Sequence, residues 1–141
     1  MLDFLWHLKG SIVLTSDPAK GEVLDRVAAA LKGDGHPVHI RGEDFVEFQK
    51  SLWRTGSRTA AMAGFDSGRI WTEQASYGLL LKYRLRSFQS LVYSLAFAIF
   101  GALLFQAPFV GFFMFSVLYG GNLILAIDRV ANFLKRATNG E

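Results

Sequence analysis

His36 and His39 are the closest pair of histidines in the chain, and imidazole pairs are common in zinc sites. On an extended segment, side chains three positions apart point to opposite faces, and neither a cysteine nor a helical His-Glu-x-x-His pattern accompanies the pair. No metal is expected there. Glu43 and Asp44 follow Gly42, but a calcium loop needs many more oxygen ligands, so they read as a solvated turn. Asp66-Ser67-Gly68 places a hydroxyl beside a carboxylate, yet the chain has no Gly-x-Ser-x-Gly elbow and no phosphate-binding Gly-x-x-x-x-Gly-Lys-Ser/Thr loop. That tripeptide also reads as a turn. Absence of cysteine removes disulfides, thiol nucleophiles and iron–sulfur ligation. A lipid-headgroup enzyme built on Asp66, Glu73 and a histidine has no recognisable acid–base constellation behind it. The expectation is a protein without cofactor and without catalysis.

Residue types suited to binding are better represented. Lys82, Arg84 and Arg86 alternate with Tyr83 and Leu85, a basic strand face with Arg54, Arg58 and Arg69 as further candidates. With Arg129, Lys135 and Arg136 further on, they are expected to attract anionic phospholipid headgroups at about 1 kcal/mol per basic residue. Trp53, Trp71 and Tyr77 are large amphipathic side chains that either close a small core or form a patch for a partner.

The distribution of charge explains why headgroups enter the argument. Of 141 residues, 15 are basic and 12 acidic, and none of these lies between Ser87 and Ile127. That uncharged run is about twice the roughly 20 residues an α-helix needs to cross a bilayer. A net charge of +3 is too small for a nucleic-acid binder that works through a strong basic field. The N-terminus shows no basic region followed by an apolar stretch and a small-residue cleavage site, so no signal peptide is expected.

One helix through the whole run would be about 60 Å long, so the run must turn back, and Gln106-Ala107-Pro108 is the corner because proline breaks a helix interior. The expected spans are 88–105 and 109–127. Lys82, Arg84 and Arg86 precede them, Arg129, Lys135 and Arg136 follow, and the corner is uncharged. Both termini are therefore expected in the cytoplasm, with a multi-pass protein in the inner membrane. Ser90, Ser94, Ala98 and Ala102 recur every four residues, and Ser116 and Gly120 repeat that spacing. Such stripes let helices approach closely, either within the hairpin or against another membrane subunit. Asn122 is the amide placed to hydrogen-bond across the helices.

Periodicity sets the rest. Residues 6–15 alternate as a strand. Asp17-Pro18 marks a helix start, Val23, Leu24, Val27, Ala28 and Leu31 share one helical face, Glu22 and Arg26 are spaced to pair, and Gly33 ends the element. His36–Ile40 and Asp44–Gln49 flank a glycine turn, residues 54–68 follow no period, and 68–73 and 79–86 read as two more strands. The expected fold is α+β: a cytoplasmic β-α-β-β-β-β domain over residues 1–86, with one helix on a mostly antiparallel sheet. A two-helix transmembrane hairpin over 87–127 and a short basic tail over 128–141 complete the chain. The expected function is a non-catalytic membrane protein whose cytoplasmic domain binds or regulates a protein partner, as a hetero- or homo-oligomer and without nucleic acid. The alternative is an immunity or accessory subunit whose hairpin recognises a membrane-active toxin or a larger membrane complex.

Overall fold

The computed structural model describes residues 6–14, 19–34, 36, 38–49 and 65–139, the Lys20 side chain excepted. Alternating apolar and polar side chains commit His7–Val13 (β1), Ser67–Ala75 (β4) and Gly78–Arg86 (β5) to a sheet with one dry face. Val38–Arg41 (β2) and Phe45–Gln49 (β3) complete it, and the spatial order is β1-β5-β4-β3-β2 with every pair antiparallel. The β4–β5 connection is tight because Gly78 takes φ of +140°, a region that glycine enters without a side-chain clash. Sequence reading and structure agree on this element order. The sequence-predicted helix start at Asp17-Pro18 lies outside the described residues, and the helix itself, Lys20–Gly33 (α1), has Ala19 at its N-cap without a side-chain cap bond.

α1 lays Val23, Leu24, Val27 and Leu31 on the dry face of the sheet, over Val46, Phe48, Ile70, Leu81, Tyr83 and Leu85. The expected Glu22–Arg26 pair forms. Arg41 reaches from β2 to the Asp25 carboxylate at 3.1 Å, tying the sheet edge to α1.

Past the sheet, Phe88–Leu104 (α2) ends in a turn at Phe105–Ala107, where Gln106 has φ of +51°. Pro108 then opens Pro108–Phe115 (α3), at the position where its missing N–H does no harm. A π-helical turn, Ser116–Gly120, joins it to Gly121–Asn139 (α4). Together they make a 32-residue helical segment, Pro108–Asn139, which by length and composition can cross a membrane. α2, with 17 residues, is shorter.

One element departs from expectation. Residues 128–139, read as a tail, continue α4, and Val130, Leu134 and Ala137 are buried in the same core as α1. The positions i, i+4 and i+7 form one helical face, which is why this segment packs instead of trailing into solvent. The helix layer therefore holds two helices, not one, and Arg26 of α1 donates to the Thr138 carbonyl at 3.0 Å.

Tyr83 lies in this core, and burial raises its phenol pKa above the ordinary 10.0. The folded state then holds the proton more tightly than the unfolded chain does. That contribution is intact below about pH 10 and is lost as pH rises through the folded value. Urea midpoints should fall between about pH 9 and about pH 11 in the wild type, and less steeply in Tyr83→Phe.

Candidate functional site: the basic face of the sheet

The helices cover one face of the sheet; among the described residues none covers the other. Register across the strands orders that second face into rows. His7, Arg86, Ser67 and Gln49 form the first, and Lys9, Arg84, Arg69 and Glu47 the second. Ser11, Lys82, Trp71 and Phe45 form the third. Neighbours within a row stand about 5 Å apart, and successive rows about 7 Å.

Lys9, Arg84 and Arg69 are thus three cations directly opposite one another on adjacent strands, an arrangement that destabilises a sheet. Among the described residues, Glu47 sits 3.6 Å from Arg69, and Glu73 2.6 Å from Lys82. The Arg69 guanidinium also lies over the Phe45 ring, 4.1 Å from its centre. Two depressions meet at Arg69 and Arg84. One, of about 390 Å³, is edged by His7, His39, Arg86, Gln49 and Ser67; the other, of about 430 Å³, by Asp44, Phe45, Trp71 and Thr72.

The basic residues singled out in the sequence do not share one surface. Lys82, Arg84 and Arg86 lie on the sheet face, whereas Arg129, Lys135 and Arg136 are exposed on α4 in the helix layer. Arg86 lies two residues before α2 and stacks over Phe88 at 5.2 Å, while Lys82 is about 13 Å further along the strand. Arg136 lies about 10 Å beyond Arg129 along α4. Only Arg86 and Arg129 adjoin the apolar helices in sequence. Trp71 pairs in register with Phe45, which sequence reading did not single out, and Tyr77 is separate at the exposed β4–β5 turn. Trp53 lies outside the described residues. His36 packs edge-on against Phe48 in the interior, while His39 borders the depression of about 390 Å³ on the opposite face. Among the described residues no group of three or more His, Cys, Asp and Glu is placed to hold a metal.

The small-residue stripe is used within the chain on α2 but not on the following helix. Ser94 and Ala98 are buried, and a Cβ added at Gly111 would stand 2.7 Å from the Ala98 carbonyl oxygen and 2.8 Å from the Ala102 Cβ. Gly111 is the contact residue that sequence spacing missed. Ser116 instead donates to its own helix at Phe112, and around Gly120 an added Cβ would meet nothing within 4 Å. Asn122 donates to Ser90 at 3.3 Å, the cross-helix bond its sequence position suggested.

Where sheet meets helices, polar groups hold the joint. Ser87 Oγ and Tyr119 Oη are 3.2 Å apart, with Tyr119 buried by the π-turn. Ser87 donates its N–H to the Trp6 carbonyl at 2.7 Å. Gln89 N–H donates to Asp66 Oδ2 at 2.9 Å, so a carboxylate 23 positions away caps α2, whose own N-cap Ser87 makes no such bond. Asp66→Ala should lower the midpoint of thermal unfolding in detergent by an amount equivalent to about 1 kcal/mol, with most of it recovered in Asp66→Asn. Comparison of the chain with protein-family models, with curated proteins and with solved structures finds no match.

Proposed function

We propose that this chain is a non-catalytic inner-membrane protein: α2 and residues 108–127 form a hairpin in the bilayer, and the α+β domain stands on the cytoplasmic side to bind a protein partner. The observation that carries this reading is the division of the surface. Large apolar side chains on the two helices face outward, with Leu103 at 73% and Phe109 and Phe112 at 75% exposure, a surface that water disfavours and lipid accepts. Among the described residues the charged side chains lie on the sheet, on α1 and on the end of α4, and residues 87–127 carry none, as the positive-inside tendency expects of cytoplasmic flanks. Cations opposed across strands at a loss of sheet stability argue for an acidic partner on that face. Recognition by the hairpin itself is less well supported, because Ala98 and Ala102 are already used against Gly111 of α3.

Since the chain has no cysteine, single cysteines report topology without background. Gln74→Cys in the domain should react with an impermeant maleimide only after the cells are opened; reaction in intact cells would overturn the orientation. For the partner, cross-linking in native membranes is followed by mass spectrometry of what co-purifies. The full chain should retain a stoichiometric protein that Lys9→Gln/Lys82→Gln loses, and equal retention by the variant would remove the sheet face from the proposal.

A further inference from the structure

We infer that the depression between the first two rows of the sheet face is a binding site for a phosphate group. Among the described residues its wall holds Arg69, Arg84 and Arg86, with His7, His39, Ser67 and Gln49 as further hydrogen-bonding groups and Glu47 as the one carboxylate. Three guanidiniums against one carboxylate leave a formal +2. A phosphate monoester carries about −1.5 to −2 near neutral pH and matches that excess, where a single carboxylate would leave half of it uncancelled. All three cations are arginines, whose planar forks bind phosphate oxygens in pairs, and Arg84 and Arg86 come from successive rows about 7 Å apart.

The Arg84–Arg69 opposition, which disfavours the sheet alone, becomes favourable once an anion lies over it. A volume of about 390 Å³ falls in the lower range of small-ligand sites, room for a phosphate with a small substituent. Arg86, beside the start of α2, sets this depression at the end of the face nearest the apolar helices. The phosphate therefore has two sources, a phospholipid headgroup or a soluble phosphate monoester. This inference deepens the binding-face reading and rests on it, but the residues that test it differ from Lys9 and Lys82.

The test uses the full chain, first in neutral detergent with inorganic phosphate against acetate at equal ionic strength. It is repeated in nanodiscs of phosphatidylcholine with and without phosphatidic acid, read by thermal unfolding. Phosphate should raise the midpoint where acetate does not, and Arg84→Gln or Arg86→Gln should weaken apparent affinity about tenfold while Lys135→Gln leaves it unchanged. Stabilisation by phosphatidic acid discs, lost in the same two variants, assigns the headgroup as source. Stabilisation by inorganic phosphate alone assigns a soluble ester. If neither phosphate nor phosphatidic acid raises the midpoint, if acetate does as well, or if Arg84→Gln and Arg86→Gln bind as the wild type does, the site is overturned. A partner still lost from Lys9→Gln/Lys82→Gln would then leave the protein-binding reading standing.

Discussion

Ending the chain after Ile127 is expected to abolish the stable fold of the sheet domain, even though every strand and α1 remain. The truncated protein would lack Val130, Leu134 and Ala137, whose side chains complete the core over the sheet, and would lose the Arg26 bond to the Thr138 carbonyl. A single Leu134→Ala exchange, at a fully buried position, should already remove about 2–5 kcal/mol, because the cavity adds to the lost transfer energy. That is a large share of the roughly 5–15 kcal/mol that holds a small domain together. Lys135→Ala, one position along and exposed, should change stability by less than about 0.5 kcal/mol. Hydrogen exchange of the strand amides reads this directly: protection should collapse in the truncation and fall sharply in Leu134→Ala. Strand amides as protected after truncation as before would show that α4 decorates the domain without supporting it. Residues 1–86 taken alone are accordingly a poor stand-in for the domain in any binding experiment.

Gly111→Ala should destabilise the packing of α2 on α3 despite alanine's better helix propensity, and Gly111→Leu should do so more strongly. The added Cβ would meet a backbone oxygen at 2.7 Å, and neither helix can yield without losing the neighbouring contacts. Overpacking of this kind costs about 1–3 kcal/mol. Gly120→Ala supplies the opposite control, since its Cβ enters open space: stability should hold or rise by up to about 1 kcal/mol. Midpoints of thermal unfolding in one detergent, compared across the three variants, settle the matter. Equal midpoints for Gly111→Ala and Gly120→Ala would refute the close approach. The contrast also separates two small-residue positions that look alike in the sequence, one pressed against its neighbour helix and one not.

Local periodicity by itself determined the five strands, α1, the turn at Gln106–Pro108 and the uncharged run. Each depends on residues within one or two turns or pleats of one another, where backbone geometry alone dictates the side-chain face. Leu81, Tyr83 and Leu85 against Lys82, Arg84 and Arg86 told which face is dry and which is wet. Only the tertiary structure decided what opposes what. The cation row of Lys9, Arg84 and Arg69 requires the register of β1, β5 and β4, set by hydrogen bonds between segments up to 75 residues apart. Gly111 matters because α2 comes back against it, and Asp66 because folding carries its carboxylate to the first turn of α2. The end of α4 shows the limit most plainly. Val130, Leu134 and Ala137 already formed an apolar helical face in the sequence, but two arginines and a lysine around them gave the segment the composition of a basic tail. The uncovered part of a core that α1 alone leaves open is a property of three dimensions, and it decided that this face is buried.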